Sequence, residues 1–315
     1  MVRLGAAPAI ELARAFGVCE TRALMRKRSS ACPSLIVVSS ALILAMTPPS
    51  ARAADTSAWQ VQLRDRVKQD DGSFKAERKS AHWNPKKTAV IIVDMWNDHH
   101  CVSAANRVAE MAPHMNRVVK AARAKGILII HAPSGCDDHY QGQRARENAK
   151  RAPEAAADVS FKWNHFNPDH EGPLAAKLEA AGCSCDTPEP CGPDRRVWES
   201  QIKTIEIAKN DAVTSKGQEI HNLLESRGIK NVIIMGVHTN RCVLGRPFGI
   251  RQMVYQKRNV ALCRDLTDSY HRDPGRHFEG LAKIIEHVEQ YWCPTITSES
   301  ITGEAPFRFK QAPAR

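Results

Sequence analysis

The chain predicts an α/β fold: a three-layer, doubly wound parallel sheet with helices on both faces. Three observations carry this. Short, continuous β-branched runs recur along the chain, as in strands buried on both faces. Stretches with apolar residues at helical spacing alternate with them. The 315 residues are 43% hydrophobic and 25% charged, within the range of a globular protein.

The first strand is Ala89-Val90-Ile91-Ile92-Val93, ending at Asp94. Val102 to Lys125 comes next, with Val108, Met111, Met115, Val118, Val119 and Ala122 on one helical face, and Lys125-Gly126 closes it. Ile127 to Ile130 is a second buried strand, ending at His131. After a long interval the unit repeats. Ile202 to Ala208 reads as a strand and Gly217 to Arg227 as a helix. Asn231 to Met235 reads as a strand, Cys242 to Gln256 as a helix, Asn259 to Cys263 as a strand and Gly275 to Tyr291 as a helix; Thr295 to Thr297 is a last short strand. Strands alternating with helices imply right-handed crossovers and a parallel sheet.

The domain so defined spans 87–300, with an inserted loop at 132–201 that is rich in Pro, Gly, Asp and His. Residues 54–86 read as a polar N-terminal arm with at most a short hairpin around Asp71-Gly72, and 301–315 as a C-terminal tail. Residues 1–53 read as a leader. Met25-Arg26-Lys27-Arg28, the apolar stretch Leu35 to Met46 and the small-residue site Ala51-Arg52-Ala53 stand in the order of a secretory signal peptide. Residues 1–24 precede that signal, and Met25 is its expected start. The apolar stretch is shorter than the ~20 residues of a membrane span. The expected location is therefore periplasmic or extracellular, with no membrane attachment once the signal is removed.

The net charge of +11 falls to +6 without the leader, with 38 basic against 32 acidic residues dispersed along the chain. That pattern fits a solvated surface and not a nucleic-acid groove.

Ligands of open α/β sheets bind outside the carboxyl ends of the strands. Three reactive side chains are expected there: Asp94, Lys209 and Cys242. Cys242 comes after the turn Gly236-Val237-His238-Thr239-Asn240-Arg241 and would open a helix. A helix N-terminus favours a thiolate, and its N–H groups favour an oxyanion. A carboxylate can move the proton and a lysine can balance charge.

Val90 to Asp94, Lys209 after its strand, and Val232 to Val243 together resemble the isochorismatase-like cysteine hydrolases, a family that includes nicotinamidases, N-carbamoylsarcosine amidases and isochorismatases. The resemblance implies an Asp94–Lys209–Cys242 triad and a cis peptide between Val237 and His238. It also implies hydrolysis of an amide-like C–N bond in a small molecule through a thioester. A vinyl ether substrate, a binding protein that has lost catalysis and a thiol–disulfide redox protein are the competing readings. Trp96, His100 and His238 are candidate pocket residues. Val237, His238 and Arg241 belong to the oxyanion turn, and Arg241 could instead take a substrate carboxylate.

Nicotinamidases carry a metal on a D-x-H pair, and Asp137-Asp138-His139 contains that spacing in an otherwise different loop; no metal or other cofactor is expected. The family often forms oligomers, so a homo-oligomer is a candidate assembly. Among the ten cysteines, Cys183, Cys185 and Cys191 lie in the inserted loop, where Cys191 is expected to pair with Cys183 or Cys185.

Overall fold

A computed structural model of the protein describes residues 58–180, 182, 191–193, 195–273 and 276–312. The expected leader, Cys183 and Cys185 lie outside these.

The described strands form one eight-stranded sheet in the order β2-β1-β8-β7-β6-β3-β4-β5. Its centre is β3 (Thr88–Val93) and, later in the chain, β6 (Asn231–Val237), every residue of both being buried. They pair in parallel from Thr88↔Asn231 to Val93↔Gly236. Gly236 has φ +116°, and a Cβ there would stand 2.0 Å from the Val93 carbonyl oxygen. Glycine is what lets these two strand ends close up.

The polar arm is part of the sheet, contrary to expectation. β1 (Trp59–Lys68) and β2 (Phe74–Trp83) form a ten-residue antiparallel hairpin, and β1 also pairs antiparallel with β8 (Thr295–Ile296) at Arg64↔Thr295. The sheet is mixed at that edge. Val61 and Leu63 alternate inward and are buried, while Arg64 and Arg66 form ion pairs with Glu289 and Glu286 of a later helix. Charge pairing holds an arm that hydrophobicity alone does not reveal.

From β3 the chain runs through α1 (Val102–Ala124) to β4 (Leu128–Ala132), parallel to β3. The inserted segment contains α2 (Arg144–Lys150) and α3 (Ala176–Glu179). The strand expected at Ile202 to Ala208 is absent. Ile202 and Ile205 close a turn instead, and the edge strand is β5, only Ala212–Val213. α4 (Gly217–Ser226) leads back to β6. The helix expected from Cys242 to Gln256 is broken. A π-helical turn spans Thr239–Val243, the chain departs from helix around Pro247, and α5 covers Ile250–Tyr255. Proline has no N–H to continue the ladder and clashes with the preceding turn. β7 (Asn259–Asp268) is twice the expected length, with a register shift against β6 between Ile234 and Gly236. α6 (His277–Tyr291) and α7 (Glu299–Thr302) flank β8. The C-terminal segment packs on the core through Phe307 and Phe309.

After β3 the chain moves toward β4; after β6 it moves the other way, toward β7. The boundary between β3 and β6 is thus the topological switch point, where the two connections diverge and leave a crevice at the carboxyl ends.

Candidate active site

Asp94 leaves β3 into that crevice. It is fully buried, with φ +48°, a left-handed conformation that aspartate tolerates better than most residues. Its Oδ1 accepts the Ser134 N–H at 2.6 Å, from the segment after β4. Its Oδ2 lies 3.5 Å from the Arg246 Nε. Cys242, carried by the π-helical turn after β6, lies beside the same carboxylate, and each shifts the other's ionisation. Carboxylate, thiol and guanidinium therefore meet at the switch point.

Burial pushes the Asp94 carboxyl above its usual range; Arg246, Cys242 and the Ser134 N–H pull the other way without cancelling the shift. Burial pushes the Cys242 thiol well up, and the neighbouring Asp94 adds to it, with Arg246 opposing. Arg246 stays firmly charged, since Asp94 and Cys242 outweigh the cost of its burial. The result is a proton held between Cys242 and Asp94 under a fixed positive charge, which suits proton transfer to and from a nucleophile.

Lys209 is not the cation of this site. It sits at the exposed tip of a turn closed by Asp211 N–H to Ala208 O (3.0 Å), with the Asp211 side chain also accepting the Ala208 N–H at 2.7 Å. Asn210 and Asp211 line a surface pocket with Gly126 and Ile127, where β4 begins, so the turn lies toward the amino ends of the strands. Asn and Asp favour turns because their side chains bond the local backbone. Here that chemistry wins over the apolar pattern before it. Sequence reasoning misses Arg246, although the spacing Cys242 to Arg246 is one helical turn, and the Arg246 N–H does bond the Cys242 carbonyl at 3.0 Å.

The Val237–His238 peptide is cis, at the position the resemblance implies. His238 is buried, and none of the described residues bonds its Nε2. Burial first, then the neighbouring His99, hold it well below the ordinary histidine range, so it is neutral at pH 7. Its ring packs 5.1 Å from both His99 and Tyr270. Trp96 is stacked on Trp198 at 4.2 Å and donates its indole N–H to the Ser134 carbonyl. His100 Nε2 lies 2.6 Å from the Tyr270 hydroxyl. These rings form one aromatic wall. Trp198 and Tyr270 escape a sequence reading because they lie far along the chain from Trp96 and His100; His99 lies between those two candidates and is passed over. Arg241 is half-buried, with its guanidinium 5.8 Å from the centre of the Trp163 ring; Arg246 lies 5.2 Å from the same ring.

Under this wall, Asp268 at the end of β7 binds Arg107 at 2.8 Å and His277 at 2.6 Å. Burial opposes its ionisation, but those two partners hold it far below the usual carboxylate range. Asp137, of the D-x-H sequence, accepts hydrogen bonds from the Ser215 N–H and hydroxyl. No group of three or more metal-ligating side chains occurs among the described residues.

A buried thiol against a carboxylate and a cation at the carboxyl rim of a largely parallel sheet is the equipment of a hydrolase. The chain belongs to the isochorismatase domain family, which matches residues 88–300. It is similar to ureidoacrylate amidohydrolase RutB of Acinetobacter baylyi (25% identity over 178 residues, 54% of this chain and 67% of that one). The RutB of Klebsiella pneumoniae subsp. pneumoniae is 27% identical over 187 residues, 53% of this chain and 69% of that one. Among solved structures, a cysteine hydrolase from Pseudomonas syringae pv. phaseolicola matches 70% of this chain and 93% of its own, at 16% identity and TM-score 0.41. N-carbamoylsarcosine amidase from Thermoplasma acidophilum matches 68% of this chain and 97% of its own, at 12% identity and TM-score 0.36.

Proposed function

We propose that the protein is an exported cysteine hydrolase that cleaves an amide-like C–N bond of a small molecule, with a ureido or carbamoyl group as the favoured substrate class. The observation that carries this reading is the meeting of Cys242, Asp94 and Arg246 at the β3/β6 switch point. The relatives named for ureidoacrylate hydrolysis support the bond type. The basic–apolar–small order of residues 25–53 supports export.

In this mechanism Asp94 takes the Cys242 proton as the sulfur attacks the carbonyl carbon. Asp94 then gives that proton to the leaving nitrogen, and the C–N bond breaks to leave a thioester on Cys242. Water attacks the thioester, losing a proton to Asp94, which returns it to the departing sulfur. Arg246 holds a positive charge beside the developing anions throughout. Arg241, at the open side of the turn, would take a carboxylate on the substrate.

The test is purified protein offered ureido acids and simple amides. Release of ammonia or a carbamate, with a Cys242-linked acyl adduct seen by mass spectrometry after acid quench, is the expected result. Unchanged turnover in Cys242→Ala would refute the assignment.

A further inference from the structure

The inserted loop and the start of α1 bring two thiols together beside Tyr270 of the aromatic wall. Cys101 is the residue before α1 and is 1% exposed. Cys191, from the inserted segment, is partly exposed and packs against the small cluster of Cys101, Ala104 and Tyr270. The two thiols lie close enough for Cys191 to help raise the Cys101 pKa. The Cys191 Sγ also accepts the first N–H of α1, from Val102, at 3.3 Å. The sequence pattern points Cys191 to Cys183 or Cys185; the structure turns its sulfur toward Cys101. Its packing against the Cys101 cluster and its bond to the N–H of the very next residue, Val102, bring the two thiols to neighbouring positions, and a disulfide needs their Cβ atoms about 3.5–4.5 Å apart.

We propose that Cys101 and Cys191 form a reversible disulfide that clamps the inserted loop onto the helix start beside the active-site wall. The oxidant is a small-molecule disulfide, of the kind present in an oxidising compartment. Cys191, the more exposed, attacks it and becomes a mixed disulfide, releasing one thiol. Cys101 then attacks the Cys191 sulfur and releases the second. The protein loses two hydrogens and the oxidant is reduced to two thiols. Burial pushes the Cys101 thiol up to about 11, which fits it to the second, intramolecular step, where proximity offsets a low thiolate fraction.

The clamp bears on the site through Tyr270. That residue shares the cysteine cluster, contacts His100 through its hydroxyl, and exchanges backbone bonds with the Asn240 side chain in the nucleophile turn (2.8 and 3.0 Å). Fixing the loop would therefore change substrate affinity more than the chemical step.

The test uses the full chain equilibrated with oxidised glutathione, alkylated, and digested without reduction by trypsin and a protease that cuts before Asp186. The second cut separates Cys191 from Cys183 and Cys185. The expected product is a Cys101–Cys191 cross-linked peptide lighter by two hydrogens and cleaved by dithiothreitol. It should be lost in Cys101→Ser and in Cys191→Ser, with Cys242 still alkylated. Recovery of Cys101 as the alkylated thiol, or of Cys191 linked to Cys183 or Cys185, would overturn the proposal. The readout is a mass and needs no turnover, so it stands or falls apart from the hydrolase reading. If the assay of that reading succeeds, oxidation should shift KM in the wild type and leave the KM of Cys191→Ser where it was.

Discussion

Two regions of this molecule carry nearly the same sequence signal, an apolar run ending in a charged residue, and they fold in opposite ways. At β3 the run Ala89 to Val93 is a central strand, and Asp94 is delivered, fully buried, to the carboxyl rim. At Ile202 to Ala208 the run breaks into turns, and Lys209 is left exposed near the amino ends of the strands. The first run is β-branched at nearly every position and pairs on both sides, with β4 and β6. The second alternates with Lys203, Thr204 and Glu206, and Asp211 behind it recruits the backbone of Ala208 and the side chains of Arg123 and His131. A charged residue at the end of an apolar run marks the carboxyl rim only if the run is paired; at the sheet edge, local turn chemistry decides.

The largest effect that tests this contrast is removal of the sulfur at the rim. Cys242→Ala should lower kcat by at least about a thousandfold, as deletion of a covalent nucleophile does. Circular dichroism should be unchanged, because a small buried side chain is replaced by a smaller one. Next comes the choice of cation. Arg246→Leu should cost roughly 10²-fold or more in kcat/KM, and Arg246→Lys should recover part of it. Lys209→Ala should stay within about twofold of wild type, as an exposed substitution far from the chemistry does. A Lys209→Ala loss as large as that of Arg246→Leu would restore the triad expected from the sequence and remove the one drawn from the structure.

A smaller effect is expected from Trp163, which is 45% exposed and lies under both Arg241 and Arg246. Exposed cation–π contacts contribute about 0.5–1 kcal/mol. Trp163→Ala should therefore raise KM by roughly two- to fivefold, and Trp163→Phe should fall in between. The backbone beside Trp163 is tied to the nucleophile turn by the Asn164 N–H to Gly245 carbonyl bond at 2.7 Å. Asn164→Gly is a control that removes its side-chain contact with Arg251 and still suits the φ of +72° there.

Much of the rim is legible in the sequence because its determinants are local and strongly patterned. The buried strands β3, β4 and β6 announce themselves by continuous apolar residues, and Asp94 and Cys242 sit just beyond two of them. Adjacency of those two residues then comes from the parallel pairing of β3 and β6. Arg246 is less legible because its role depends on a π-helical turn and a break at Pro247, which together decide where a residue four positions from Cys242 points. The N-terminal hairpin escapes for a different reason. Its burial rests on Val61, Leu63 and Trp83, and its further hold comes from pairing with β8, the Trp59 bond to the Ser300 carbonyl and ion pairs to Glu286 and Glu289 some 220 residues away. The aromatic wall draws on four separated segments, and no single window of sequence contains it.

A last effect, read in stability and not in turnover, separates the neutral rim from the ionised layer beneath it. His238 and His271 are both held below their ordinary value, chiefly by burial. The folded protein keeps them neutral where the unfolded chain would protonate them. Below about pH 6.5 the unfolded state therefore binds more protons, and stability rises with pH in that window by up to about 1.4 kcal/mol per pH unit for each such group. Asp268 and Asp211 are shifted the other way. Their depressed values contribute stability that is complete above the ordinary carboxylate range and is lost only as pH falls through the folded-state values. The two layers thus act in different windows. Thermal melts between about pH 7.5 and 5.5 should show Tm falling with acid before Asp268 or Asp211 titrates. His238→Phe, which keeps a ring against His99 and Tyr270, should flatten that slope. Asp268→Asn should instead lower Tm at every pH in the window, because it leaves Arg107 buried beside a neutral partner. Equal slopes in wild type and His238→Phe would mean that the histidine beside the nucleophile titrates alike in the folded and unfolded chains.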